Sequence, residues 1–141
     1  FAMLINKKKF KDDYYFDENF FLYLENEDLC LRKKKEGENI YVLKMAKINH
    51  LGGKSSSKIY SEEIEYSRNW HWMWSKFYFN KKHYGYLYSL TKVFSNLISA
   101  KVKFFYYLLI FNSYKRKIYM MRYLGLINSM IGKKSWYRPK I

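Results

Sequence analysis

Acidic side chains are concentrated at the start of one predicted helix. Glu25, Glu27 and Asp28 follow the apolar run Phe20–Leu24, and His50 comes later, after two predicted strands. The N-terminus of a helix stabilises an ionised carboxylate, which keeps that group available as a general base or a metal ligand. Because pockets in α/β proteins form where strands and helices end, this junction is the first candidate for a chemical site.

The same residues also have a purely structural interpretation. Glu27 and Asp28 in a first turn complement the helix dipole, and Asp28 can pair with Arg32 one turn later. A single histidine after a strand, such as His50, is more often hydrogen-bonded within the fold than bound to a ligand. The residue types alone leave both interpretations open.

An α/β arrangement is predicted to position these residues. Short, continuous apolar runs predict strands at residues 1–5, 40–43 and 46–49. Residues 28–36 have helical spacing, with Asn26 as the N-cap and Gly37 as the glycine that follows the helix. Beyond a loop at residues 50–57 the pattern is helical throughout, and it predicts helices at residues 62–84, 89–111 and 114–130.

Charge divides the chain into two parts. All 12 acidic residues and 12 of the 27 basic ones lie at or before Glu65, so residues 1–65 carry no net charge and residues 66–141 carry the whole +15. A surface as basic as the second part faces an anionic partner or is held in solution by its own repulsion.

Cysteine content and hydropathy bear on the redox compartment of the protein and on whether it spans a membrane. The single cysteine, Cys30, cannot form an intramolecular disulfide bond and favours a reducing compartment. The longest uncharged stretch after Lys103, residues 104–114, is shorter than the ~20 apolar residues that span a bilayer. No transmembrane helix is therefore predicted.

The basic part mixes lysine and arginine with aromatic residues. Trp70, Trp72 and Trp74 crowd one predicted helix, and an apolar run at residues 104–111 fills the next. Helices of this composition can lie in the headgroup layer of a membrane, or they can pack against other parts of the protein with their charges solvated. Single-stranded nucleic acid is a third, weaker alternative. No RNP, zinc-knuckle or helix-turn-helix pattern accompanies these residues, and we expect no nucleic-acid partner.

Several spaced motifs resemble one known family. The segment Phe16–Arg32, FDENFFLYLENEDLCLR, closely resembles the FDE-x-FF-x-Y-x-E-D-x-D-L-C-x-R block of rhamnosyltransferase-like family 2 glycosyltransferases. Residues 46–56, AKINHLGGKSS, are similar to the A-x-x-x-H-x-x-G-x-S-S segment that follows in that family, and residues 82–85 match its K-H-Y-G segment. The resemblance covers residues 1–85 and is weak beyond them.

The resemblance implies an inverting transfer of a sugar from a nucleotide-diphosphate donor to a saccharide or lipid-linked acceptor. By position, Glu25 and Asp28 are the catalytic candidates, and asparagine stands at position 26, where the family usually has its base. Either Glu25 or Glu27 then takes the role of the base, or the chain is inactive; Glu25 is favoured, with Asp28 orienting the site. The resemblance also implies substrate-binding roles for Arg32, Gly52 and Gly53. It assigns His50 to a divalent metal, Mg or Mn, held mostly by residues upstream of this chain.

The fold class implied is α/β, with the trailing part of a GT-A (nucleotide-diphospho-sugar transferase) domain at residues 1–60. A basic, aromatic-rich helical extension is expected at residues 61–141. The donor-binding half comes first in that fold, so we expect the chain to be a C-terminal fragment of an enzyme of cell-envelope polysaccharide or glycolipid synthesis. The expected location is cytoplasmic, on the inner face of the plasma membrane, with the basic part against anionic lipid. A non-catalytic scaffold at the membrane surface is the alternative, because Asn26 cannot accept a proton.

Overall fold

The regular elements of the protein are helical. The computed structural model describes residues 3–10, 14–49 and 60–139. A 3-10 helix at Lys7–Lys9 is followed by α1 at Glu25–Lys35, α2 at Ser61–Tyr84, α3 at Tyr86–Leu109 and α4 at Ser113–Met130. Helices α2, α3 and α4 all contact one another. They form a three-helix bundle, and the segment that carries α1 packs on α2.

The predicted α/β fold, with the trailing part of a GT-A domain, is wrong, because the described residues contain no β-strand. Residues 3–5, 40–43 and 46–49 are irregular, and residues 44–45 form a turn. A strand is stable only when its backbone is paired with a neighbour and one of its faces is buried. The side chains of residues 40–43 are instead between 50% and 85% exposed. Their β-branched and aromatic character produced the strand prediction, and no neighbouring strand in the described ranges supports it.

The helix predictions are mostly confirmed. Helix α2 begins one residue before the predicted start and ends at the predicted Tyr84. Helix α3 starts earlier than predicted, because Gly85 (φ 89°) alone makes the turn from α2. Gly37 (φ 85°) follows α1 as predicted. Helix α1 already begins at Glu25, so Asn26 lies inside its first turn and is not the N-cap.

Large side chains from α2 fill the centre of the bundle. Two clusters of buried side chains make up the core: Tyr66, Trp70, Trp74 and Met121 in one, and Met73, Phe77, Val93 and Leu126 in the other. Trp70 and Trp74 are therefore core residues, whereas Trp72 is 40% exposed. Helix α4 crosses α2 so closely that a Cβ atom at Gly125 would clash with the backbone carbonyl of Trp70. The indole rings of Trp70 and Trp74 thus stabilise the bundle by burial and are not free for an interface.

The segment after α4 ties the bundle to the N-terminal part. Trp74 Nε1 donates a hydrogen bond to the carbonyl oxygen of Lys133 at 2.9 Å. Ser135 Oγ donates to the carbonyl oxygen of Asn19 at 2.6 Å. His71 Nε2 donates to the carbonyl oxygen of Tyr137 at 2.8 Å, and the imidazole is fully buried. Residues 131–139 are thus held by bonds to both α2 and the segment that precedes α1.

Substituting His71 by glutamine should make the stability of the chain less sensitive to acid. Burial lowers the pKa of His71 from its ordinary 6.5 to about 4, despite the hydrogen bond to Tyr137. Between these pH values the unfolded chain binds a proton that the folded chain does not, so stability falls as pH falls from 6.5 to 4, by about 3 kcal/mol in total. Glutamine retains an amide donor but does not titrate. Urea unfolding at a series of pH values gives the free energy of unfolding as a function of pH. Between pH 4 and 6.5 this free energy should change less steeply for His71→Gln than for the wild type, and above pH 6.5 the two slopes should agree. Parallel curves over the whole range would contradict the assignment.

Candidate functional site

Asp28 lies at the centre of a buried polar cluster that joins α1 to the last turn of α2. Its side chain is fully buried. Its Oδ2 accepts a hydrogen bond from Arg32 Nε at 2.9 Å, which confirms the pairing expected from their separation of one helical turn. Its Oδ1 lies 2.7 Å from Lys82 Nζ and 2.8 Å from His83 Nε2. Both carboxylate oxygens are therefore engaged by donor nitrogen atoms.

A second carboxylate, Asp17, shares Lys82 with Asp28. Asp17 Oδ2 lies 2.7 Å from Lys82 Nζ and accepts a hydrogen bond from Tyr78 Oη at 2.9 Å. Asp17 Oδ1 accepts from the backbone N and the side-chain Nδ2 of Asn19, at 3.0 and 2.8 Å. Lys82 thus bridges the segment before α1 and α1 itself. We define the Asp17–Asp28 cluster as Asp17, Asp28, Arg32, Tyr78, Lys82 and His83.

The charges in the Asp17–Asp28 cluster balance. Burial opposes ionisation, but hydrogen bonds, led by that from Lys82, lower the pKa of Asp17 to about 2 and hold the pKa of Asp28 below its ordinary value. The pKa of Lys82 is raised by the two carboxylates in spite of burial. Burial lowers the pKa of His83, and this outweighs the neighbouring carboxylate. At neutral pH two ionised carboxylates therefore face two cations, and a neutral His83 donates its Nε2–H to Asp28.

Glu25, the other predicted catalytic residue, is placed differently from Asp28. It is the first residue of α1 and is partly buried. Its Oε2 is shielded from solvent and has no hydrogen-bond partner among the described residues. A shielded carboxylate oxygen without a donor is unfavourable unless water, a ligand or another part of the protein supplies one. Glu25 therefore keeps an acceptor for a further group, whereas Asp28 does not.

The backbone immediately before Glu25 is strained. Tyr23 and Leu24 have φ angles of 69° and 67°, in the left-handed region. Each such residue other than glycine carries a penalty on the order of 1 kcal/mol, and strain of this kind is concentrated at functional sites. The Leu22 carbonyl oxygen just before them accepts a hydrogen bond from Ser75 Oγ at 2.7 Å. Packing on α2 thus holds the strained turn that positions Glu25.

None of the other predicted site residues that the structure describes forms a hydrogen bond with Glu25. Asn26 is exposed in the first turn of α1. Arg32, predicted to bind substrate, donates to Asp28 and also to the carbonyl oxygen of Tyr15. His50, the predicted metal ligand, and Gly52 and Gly53, predicted to bind substrate, lie outside the described residues.

Sequence reasoning did not assign a role to four members of the Asp17–Asp28 cluster. These members are Asp17, Tyr78, Lys82 and His83. Three of them could have been predicted from the sequence, because Asp17 belongs to the FDE motif and Lys82 and His83 belong to the K-H-Y-G motif. Tyr78 carries no motif signal, and only its position one turn before Lys82 on α2 brings it to Asp17.

An open cleft of about 630 Å³ lies between residues 14–19 and 134–138, and Asp17 is among the residues that line it. Its walls include Glu18, Trp136 and Arg138. The indole of Trp136 is 57% exposed and is fixed by a hydrogen bond from its Nε1 to Asn128 Oδ1 at 3.1 Å. The guanidinium group of Arg138 already donates to the carbonyl oxygens of Ser135 and Tyr137, so the indole of Trp136 and the exposed Glu18 carboxylate are the groups that the cleft presents.

Metal ligands and membrane-spanning helices are not found in the described parts of the chain. Residues 3–10, 14–49 and 60–139 contain no group of three or more His, Cys, Asp or Glu side chains that could hold a metal ion. None of the helices in those ranges is long and apolar enough to cross a membrane. Comparison with protein families, with curated proteins and with solved structures finds no match to this chain.

Proposed function

We propose that this chain is part of an inverting glycosyltransferase that moves a sugar from a nucleotide-diphosphate donor to an acceptor hydroxyl, in cell-envelope polysaccharide or glycolipid synthesis. The observation that carries the proposal is the meeting of Asp17, Asp28, Lys82 and His83 in one buried cluster. These residues come from separate segments that resemble motifs of that enzyme family. Segments that follow the family's order in sequence and also meet in space support a common site more strongly than the sequence order alone.

Glu25 is the proposed general base. It accepts the proton of the acceptor hydroxyl as that oxygen attacks the anomeric carbon of the donor sugar. The bond from this carbon to the diphosphate oxygen breaks in the same step, and the nucleoside diphosphate leaves with the electron pair. A single in-line displacement inverts the anomeric configuration. The unpartnered Oε2 of Glu25 supports this role, because it is an acceptor that the described fold does not use.

Asp28 is a positioning residue in this proposal. Its oxygens are already bonded to Arg32, Lys82 and His83, and its pKa is held low. A carboxylate so paired is a weak base, but it fixes the first turn of α1, on which Glu25 stands. Arg32 acts through Asp28, and Gly52 and Gly53, which are proposed to contact substrate, lie outside the described residues.

The proposal includes a divalent cation, Mg or Mn, which His50 and residues upstream of the chain would bind. The described residues offer no ligand set of their own. When bound, such an ion offsets charge on the diphosphate leaving group. The steps assigned above to Glu25 and Asp28 do not involve it.

The proposal is tested with the protein expressed from its coding sequence including the region upstream of Phe1. It is incubated with a panel of nucleotide-diphosphate sugars, Mg²⁺ or Mn²⁺, and saccharide and lipid-linked acceptors, and the transferred sugar is measured. We expect transfer from one donor class, and none from the isolated chain under the same conditions. Absence of transfer and of nucleoside-diphosphate release with every donor, or transfer by the isolated chain, would contradict the proposal.

A non-catalytic scaffold is the second candidate, and one observation favours it. The position at which the resemblance expects the base is Asn26, which is exposed and cannot accept a proton. A scaffold would release no nucleoside diphosphate in the test above, although it would still fold and still bind its partners.

A further inference from the structure

Helix α3 carries an apolar stripe on the face that points away from the bundle. Its inner face, with Ser89, Val93 and Ala100, is buried against the other helices. The outer stripe consists of Leu87, Phe94, Ile98, Val102, Phe105 and Leu109, and these side chains are between 48% and 78% exposed. The residues recur every three, four or seven positions, so they lie on one side of a helix that is about 36 Å long at 1.5 Å per residue.

A continuous exposed face of this kind is unusual in a protein that is fully surrounded by water. Surface helices normally turn their polar side outward, and a large contiguous apolar patch marks an interaction site. Helix α3 is apolar on both its inner and its outer face, and Phe111, in the turn that follows it, is 92% exposed. The outer face of α3 therefore requires a covering partner.

One lysine borders the stripe, and two others lie farther round the helix, on the flank towards the bundle. At 100° per residue, Lys101 lies about 60° from Ile98 on one side, and Lys92 and Lys103 lie about 120–140° away on the other. All three are exposed. Lys92 and Lys103 rest over the rings of Tyr88 and Tyr119, with Nζ to ring-centroid distances of 5.2 and 5.3 Å.

Within residues 3–10, 14–49 and 60–139 no carboxylate forms an ion pair with Lys92, Lys101 or Lys103, and no acidic residue follows Glu65 in the sequence. The turn after α3 leads directly to a further basic run, in which Lys115 and Arg116 are followed by Lys117, itself paired with Glu63 at 2.9 Å. The partner that covers the stripe must therefore be apolar at its centre and anionic at its borders.

We propose that the outer face of α3 lies in the headgroup layer of an anionic lipid bilayer, with its lysines on the lipid phosphates. An interfacial helix has this composition and need not span the membrane. A second copy of the chain is a poorer partner, since pairing two α3 faces would bring like-charged lysines together. The inference goes beyond the proposed function, because it rests on the surface of α3 alone and is measured without sugar transfer.

Sedimentation with vesicles tests the inference on the purified chain. The vesicles contain phosphatidylcholine with about a third phosphatidylglycerol, and pure phosphatidylcholine vesicles are compared with them. We expect binding to the anionic vesicles that weakens as salt is added. Replacing Phe94, Ile98 and Phe105 together by glutamine should weaken binding on the order of a hundredfold or more. Replacing Lys92, Lys101 and Lys103 by glutamine should weaken it roughly fivefold per lysine at low salt.

The matched control is the triple replacement of Ile40, Val42 and Leu43 by glutamine. These residues are apolar and equally exposed, but they lie outside the basic part of the chain, so binding should be unchanged. Circular dichroism confirms that each variant retains its helices. Absence of binding at low salt, or equal loss in the stripe and control variants, would overturn the inference. Loss of a dimer in the stripe variant, without any binding of wild type to vesicles, would overturn it in favour of a second copy.

Discussion

Replacing Asp28 by asparagine is expected to lower the free energy of unfolding of the chain by about 3–5 kcal/mol. The change preserves side-chain size but removes the negative charge from a fully buried position that faces Arg32, Lys82 and His83. Lys82 retains Asp17, whereas Arg32 loses its carboxylate partner and the buried site gains an uncompensated positive charge. Urea unfolding at neutral pH, followed by circular dichroism, measures the loss.

Glu27→Gln is the matched control for this substitution. Glu27 lies in the same first turn of α1 and is an acid of the same charge, but it is exposed. Its replacement should change the free energy of unfolding by no more than about 0.5 kcal/mol. If Asp28→Asn were no more destabilising than Glu27→Gln, the Asp17–Asp28 cluster would not hold α1 on α2.

Replacing Glu25 by glutamine should lower kcat for sugar transfer by the full-length protein on the order of 10²–10⁴-fold. Glutamine has nearly the shape of glutamate but cannot accept the proton of the acceptor hydroxyl, so the loss should fall on kcat, with little change in KM. Initial rates at saturating donor and acceptor measure it. A variant that transfers sugar at the wild-type rate would remove Glu25 from the mechanism.

The same substitution should leave the fold largely intact. The Oε2 of Glu25 has no partner within the described residues, so replacing this oxygen breaks no hydrogen bond among them. The substitution weakens only the interaction of the carboxylate with the helix dipole, by about 1 kcal/mol or less. Glu27→Gln again serves as the control and should retain both stability and transfer. A large loss of stability for Glu25→Gln would instead indicate a structural carboxylate.

The bundle helices could be predicted because their signals are local. Helices α2 and α4 begin within one residue of their predicted starts, and Gly85 marks the end of α2. The predicted start of α1, at residue 28, is later than the observed start at Glu25. The true start has no capping side chain, and Leu24 occupies the N-cap position in a left-handed conformation. Residue type does not anticipate this conformation, which packing against α2 stabilises.

Composition alone could not show whether the predicted strands form. Residues 40–43 have the β-branched and aromatic character of a strand. Whether such a run becomes a strand depends on a neighbour with which it can pair. The described structure provides none, and the exposed side chains of this segment show that no sheet face covers them.

The candidate site was predicted where its contacts are local and missed where they are distant. Asp28 and Arg32 are one turn apart on α1, and their pairing follows from helical spacing. Lys82 reaches Asp17 across 65 residues of sequence, and no periodicity encodes such a contact. The aromatic residues of α2 illustrate the same limit, since Trp70 and Trp74 have the composition of an interface but are buried by α4.

The central claim is that a single carboxylate base in this chain drives one in-line displacement at a sugar. The most direct measurement is the anomeric configuration of the product that the full-length protein forms from a donor of known configuration, determined by proton NMR. Inverted configuration at the transferred sugar is predicted, with the product lost in Glu25→Gln and retained in Glu27→Gln. Retained configuration, or inverted product formed equally well without the Glu25 carboxylate, would contradict the claim.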